Sequence, residues 1–591
     1  MKNLGYLSCL LLATACSSHP ETAVAPIPAQ TEKDRTLEQE PKQTHSVAEV
    51  LAPSPEMAQG VVSSPALVVH SRAESSRLAK EHTVKFAAGR HDLRTNAPRV
   101  QVGPAIMVDQ IAPPEPNREN YSKQDELPVK VVAQEPVSTF SIDVDTASYA
   151  NVRRILQAGQ LPPKDAVRVE EMINYFPYNY PNQASSRPFA VHTEIAPAPW
   201  GVDKHLIRIG IKAQDITAAA LPVANLVFLV DVSGSMNEPN KLPLLQASLK
   251  LLVDQLKAGD HVSLVTYASG TRVVLQPSAD KNQIKRAIDQ LRASGSTAGA
   301  AGIQLAYQMA RQGFIKGGIN RILLATDGDF NVGVTSIDAL KEMVEKQREA
   351  GVSLSTLGFG TGNYNDALME QVADIGNGNY HYIDTLNEGQ KVLVDEISST
   401  LAIVAKDVKI QVEFNPEQVK EYRLIGYENR QLKREDFNND KVDAGDIGAG
   451  HTVTALYEVT FAGKGGYLEP LRYEAKAAPK IISSDELGFL RLRYKAPDGH
   501  KSQLIEIPLQ RRDVLNSFNQ ASNEFRFATA VAGFGQILRN GRYINGFGYT
   551  QVAAIAANAR GNDAFGYRGE FLQLVKLARS LTPAAEGSGR D

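Results

Sequence analysis

Asp231, Ser233 and Ser235 alternate in the stretch Asp-Val-Ser-Gly-Ser-Met, directly after the apolar run Leu226 to Val230. Alternate side chains of extended backbone leave on the same side, so one carboxylate and two hydroxyls can converge on a point. Gly234 between them lets the main chain bend closely around that point. All three groups are hard oxygen donors, the type that suits Mg²⁺ or Mn²⁺; Mg²⁺ takes about six oxygens at roughly 2.0–2.1 Å and usually keeps some waters. Three side chains leave such a shell incomplete. Two later segments carry further donors: Gly295-Ser296-Thr297, and Thr326-Asp327-Gly328-Asp329 after the apolar run Arg321 to Ala325. The hydroxyl of Thr297 and the carboxylate of Asp327 are the expected fourth and fifth ligands. Taken alone, an acid and two serines are a weak signal, because Ser and Gly populate many turns. The ordered conjunction of the three segments is much more specific.

Those segments need a scaffold that brings them together. From Ala224 to about Ala405 short apolar runs alternate with amphipathic helical patterns, the sign of a parallel sheet covered on both faces. The predicted strands are Leu226 to Val230, His261 to Tyr267, Arg321 to Ala325, Val352 to Gly358 and Tyr380 to Ile383. Leu245, Leu249, Leu252 and Val253 mark one helix stripe, and Leu340, Met343 and Val344 another. The fold class is therefore α/β, a doubly wound, mostly parallel sheet over residues 221–405, with ligands expected at the carboxyl ends of its strands. Asp231 and Asp327 both fall there.

The rest of the 591 residues exceeds what one core can hold. Residues 1–15 read as a signal peptide, with Lys2 ahead of an apolar run from Leu4 to Ala15 that is too short to span a bilayer. Leu12-Ala13-Thr14-Ala15-Cys16 resembles the bacterial lipoprotein cleavage box, although Ala13 stands where such boxes usually have Leu. Cys16 is the expected lipidation site, and Ser17 after it resembles the outer-membrane sorting outcome. The only other cysteine is Cys9, so the exported part has no disulfide framework. Residues 16–135, rich in Pro, Glu, Ser and Ala without periodicity, read as a disordered tether. Residues 136–220 read as an α+β flank, 406–515 as a β-sandwich-like region and 516–591 as a helical C-terminal region whose apolar rows face a core. The formal charge of −3, evenly mixed, gives no footprint for nucleic acid.

The ordered acid-hydroxyl constellation resembles the metal-ion-dependent adhesion site of von Willebrand factor type A domains, with all five ligand positions matched. The segment from Val137 through VSTFSIDVDTASYANVRRILQAGQLPPKDAVRVEEMINYFPYNYP, and DFNNDKVDAGDIGAGHTVTALYEV from Asp436, look like the flanks of YfbK-type bacterial lipoproteins. The resemblance implies that the flanks form a scaffold around the α/β domain. It also implies a divalent ion held with one carboxylate acting through water, so that an acidic residue of a protein partner completes the shell. In the family this event is often coupled to movement of the domain's last helix, here Glu388 to Val404.

Other constellations are weaker. Asp436, Asn438 and Asp440 have the spacing of the first ligands of an EF-hand loop, but Lys441 and Ile447 stand where Gly and Glu are required, so a polar hairpin is expected. Asp143 and Asp145 precede Thr146 and a helix, which suits capping. Among the eleven histidines, His261 and His381 fall in strands as structural residues. The chain shows no zinc pattern, nucleophile elbow or phosphate loop, and no base is spaced to activate Ser235. A binding module, not an enzyme, is the expectation. A hydrolase using the same ion to activate water and a metal-free structural envelope protein are the alternatives.

Overall fold

The computed structural model describes residues 118–583 apart from 143–144, 183–186, 297–298, 329–336, 470, 472–484 and 545. Cys16, Asp143, Thr297 and Asp329 lie outside the described residues.

The six-stranded central sheet runs in the order Tyr380–Tyr382, Ser353–Gly358, Ile319–Thr326, Ala224–Asp231, His261–Tyr267, Thr271–Ser278. All neighbours are parallel except the last pair, which is antiparallel. Every residue of Ala224–Asp231 is buried, as a strand covered on both faces must be. One face packs Leu226, Phe228 and Val230 against the helix Leu242–Gln255 and the domain's last helical segment. The other packs Val227 and Leu229 against Gly299–Gln312 and Ile337–Glu349. The sequence misses Thr271–Ser278, because at this edge only Leu275 is buried.

The flanks do not fold in sequence order. The strands Phe189–Pro197 and Lys204–Ala213 share a five-stranded sheet with Val419–Ile425 and Thr452–Phe461, to which Lys130–Val131 adds. Val137–Ser141 pairs with Ile403–Phe414 in the second sheet, which contains Glu486–Lys495 and Ser502–Gln510. Phe140, Ile207 and Ile209 thus pack in one core with Val412, Tyr457 and Leu490. The sandwich expected from 406–515 alone is a composite with the 136–220 flank, and the α/β domain is inserted between its halves. The helices Asn523–Leu538, Tyr549–Asn558 and Tyr567–Leu581 cover a further core with Tyr149, Met172 and Phe176 of the N-terminal flank, so the apolar rows face a core as expected.

Two expectations are corrected here. The tether does not extend to 135: the Arg118 N–H donates to the Gly362 carbonyl at 2.7 Å, and Lys130–Val131 is a strand. The last helix is not one rod over Glu388 to Val404. It consists of Leu386–Gln390, a π-helical turn Lys391–Asp395 and Ile397–Leu401, after which Ile403 begins a strand.

Candidate metal site

Asp231 ends its strand with its carboxylate fully buried. One oxygen accepts from the Ser233 N–H at 2.8 Å and the other from the Thr326 hydroxyl at 3.0 Å. The second bond ties the end of one strand to the end of its neighbour, so the turn after Asp231 and the loop at Asp327 meet. Ser233 and Ser235 stand with hydroxyls 3.0 Å apart. Ser233 is buried, whereas Ser235 is half-buried and Gly234 exposed, so the rim opens to solvent at this point.

The Gly-Ser-Thr segment abuts the same turn. The Gly234 N–H donates to the Gly295 carbonyl at 2.9 Å, and Ser294 N–H to the Val232 carbonyl at 2.7 Å. Gly295 has φ +86°, the left-handed region that favours glycine. The site therefore brings together Asp231, Ser233, Ser235 and Asp327, with Ser296 adjoining, while Thr297 is outside the described residues.

Burial, helped by the neighbouring charge of Asp327, pushes the Asp231 carboxyl up to about 6 against the lowering effect of the bonds from Ser233 and Thr326. Two buried carboxylates near enough for the charge of one to act on the other call for a cation. One is already present, at a residue that sequence reasoning missed: the Lys241 ammonium lies 3.1 Å from Asp327 Oδ2, with both side chains almost fully buried. Lys241 occupies the position just before the helix Leu242–Gln255. Gly360, at φ +77°, leaves room for its stem. Lysine in a loop before a helix ordinarily reads as solvated, which is why its role is invisible in the sequence.

The donor set fits a hard divalent ion. Two carboxylates and two hydroxyls are all oxygen ligands, and a carboxylate oxygen can accept from more than one partner. Among the described residues no three His, Cys, Asp or Glu side chains gather as a metal group, so a site here depends on the serine hydroxyls.

The secondary candidates have other partners. The cap residue of the helix Ala147–Gln157 is Thr146, which makes no side-chain cap bond, and Asp145 accepts from the Tyr380 N–H at 2.8 Å and pairs with Arg430 at 3.0 Å. Asp440 meets Arg493 at 3.0 Å after a 3₁₀ turn Arg434–Asn438, not in a hairpin. Both ring nitrogens of His261 face carbonyls. His381 faces the Thr146 hydroxyl at 3.2 Å, and burial pushes its pKa down to about 3.

The sequence also gave no sign of the buried charges that join the flanks to the α/β domain. Arg153 binds Asp384 (2.5 Å), Glu388 (2.8 Å) and Glu570 (3.1 Å). Arg168 meets Asp366 at 2.5 Å. Arg430 reaches Asp374 at 2.8 Å as well as Asp145.

Comparison with known proteins agrees with this architecture. Residues 225–396 match the von Willebrand factor type A domain, 115–208 a von Willebrand factor model, and 399–581 the model described as "Uncharacterized protein YfbK, C-terminal". Type A domains generally mediate protein–protein interaction. A UPF0353 protein of Mycolicibacterium vanbaalenii is 29% identical over 29% of this chain and 59% of its own length. The solved von Willebrand factor type A structure from Catenulispora acidiphila is 16% identical, covering 66% of this chain and 91% of its own, with a TM-score of 0.37. The Escherichia coli protein described as "Uncharacterized protein YfbK" is 51% identical over 486 residues, 80% of this chain and 83% of its own. On that identity and coverage, the chain belongs to the YfbK family of proteins that carry a von Willebrand factor type A domain.

Proposed function

We propose that this protein is a lipoprotein of the cell envelope, anchored through Cys16 and placed in the outer membrane, whose type A domain binds a protein partner through Mg²⁺ or Mn²⁺. The observation that carries the reading is the meeting of buried Asp231 and Asp327 beside the hydroxyls of Ser233 and Ser235, at a rim open to solvent. Asp231, Ser233, Ser235, Thr297 and Asp327 would hold the ion. Bound there, it supplies a positive centre that an acidic side chain of the partner can ligate. The chain's own residues do the positioning. Thr326 and the Ser233 N–H orient the Asp231 carboxylate, and Lys241 neutralises Asp327, so less of an ion's charge would be cancelled before a partner arrives. The role is binding, not catalysis.

Calorimetric titration of the full chain with Mg²⁺ and Mn²⁺, beside Asp231→Ala and Asp327→Ala, tests the site. One-site saturable binding lost in both variants is expected. A folded wild type that takes up neither ion would refute the metal reading.

A further inference from the structure

A cavity lies at the other end of the sheet. About 570 Å³ in volume, it is walled by the α/β domain, the N-terminal flank and the composite sandwich, a size within the usual range for small-molecule pockets. Arg321 lines it. This residue stands five positions before Thr326 on the strand Ile319–Thr326, roughly 16 Å from the strand end that carries the metal site.

Arg321 is only 2% exposed. Its guanidinium donates to the Ser355 hydroxyl at 2.7 Å, its Nε has no partner, and it forms no ion pair with any described residue. A guanidinium has five donors, and burying its charge without an anion is costly. Other bases of the wall are already paired: Arg430 with Asp145 and Asp374, Arg348 with Asp443. Lys341 and Lys441 also line the cavity and form no ion pair with a described residue. Two acids of the wall stand outside those pairs: Glu345, 3.9 Å from Arg348, and Asp446, whose charge acts on Arg321 and whose buried Oδ2 has no hydrogen-bond partner among the described residues. Burial pushes the Asp446 carboxyl up to about 7, so near neutrality about half of it is uncharged and competes less with an incoming anion.

We propose that this cavity binds a small organic anion, with a carboxylate or phosphate head seated on Arg321 and the rim charges of Lys341 and Lys441 completing its neutralisation. Because its walls come from three parts of the chain, such a ligand would fasten the α/β domain to its scaffold.

The test titrates the full chain, stripped of metal on a chelating resin and free of soluble chelator, with inorganic phosphate and separately with succinate, at ionic strength held constant with chloride. The readouts are calorimetry and melting temperature. At least one probe is expected to bind saturably and raise the melting temperature, and which one does so names the head group. Arg321→Met is expected to weaken binding by on the order of tenfold or more, the worth of a charge-assisted hydrogen bond, while melting no lower than wild type without anion, since a buried, poorly partnered charge is removed. Lys441 is exposed, so Lys441→Gln keeps the fold and should weaken binding several-fold even if the first variant fails to fold. Binding of neither probe, or binding that both variants leave intact, would overturn the proposal, and a cavity filled only with water gives the former.

Discussion

Replacing Asp231 by Asn should stabilise the metal-free protein at pH 8. The carboxyl is fully buried and its pKa is raised from 3.8 to about 6, chiefly by burial. A shift of about 2 units is worth roughly 3 kcal/mol at 1.4 kcal/mol per unit. For an acid with a raised folded pKa, the native state holds the proton more tightly than the unfolded chain. Stability is therefore complete below about pH 4, falls as pH rises from about 4 to 6, and stays lower by that amount above. Asn keeps the acceptor for the Ser233 N–H and removes the charge.

The assay is thermal unfolding in EDTA at pH 4 and pH 8, reading the melting temperature of Asp231→Asn minus that of wild type. Other acids titrate in both proteins and cancel in the difference. A positive difference at pH 8 that vanishes or reverses at pH 4 is expected, and added Mg²⁺ should stabilise wild type alone. A variant that melts below wild type at both pH values would show that the hydrogen bonds to Asp231 outweigh its burial. The carboxylate would then be a structural group and not one waiting for a cation.

Three further outcomes follow from the same contacts. Lys241→Met removes the cation beside Asp327; Mg²⁺ should bind ~10-fold tighter or more, as expected when a positive charge a few ångströms away is lost, and an unchanged Kd by calorimetry would exclude this role. Arg153→Ala leaves Asp384 and Glu388 buried without their partner, which should cost about 3–5 kcal/mol and appear as a large fall in melting temperature. Cys16→Ser should move the protein from the membrane fraction to the soluble fraction on cell fractionation; retention in the membrane would remove the lipid anchor from the proposal.

The α/β sheet was legible because its strands are short apolar runs whose period differs sharply from that of the helices between them. Asp231, Ser233, Ser235 and Asp327 were legible as candidates because a parallel sheet places strand ends side by side, and the structure joins two of those ends through Thr326 and Asp231. What stayed hidden is non-local. The alternation in Val137–Ser141 says that one face is buried, but not that its partner is Ile403–Phe414, far along the chain. Arg153 occupies a helix whose apolar positions predict a surface for charged residues, yet the far side of that helix meets two acids of another domain. A buried arginine and a surface arginine leave the same trace in one sequence.

Those same buried pairs bear on how the domain can respond to a partner. Motion of the last helix would have to part Glu388 from Arg153 and from the Tyr175 hydroxyl, which donates to it at 2.7 Å. Lys391, in the π-helical turn, also lies over the Tyr175 ring at 4.3 Å while binding Glu396 at 2.7 Å. Breaking one buried pair of this kind costs about 3–5 kcal/mol, whereas a partner of micromolar affinity brings about 8 kcal/mol in all. Only the difference in its affinity for the two helix positions can be used to shift them. A partner touching the rim at Asp231 and Ser235 alone would have to commit a large share of its binding energy to that difference. One that also engages the flanks could weaken the Arg153 cluster directly. The clamp therefore favours a rigid receptor for the first kind of partner and reserves helix movement for the second.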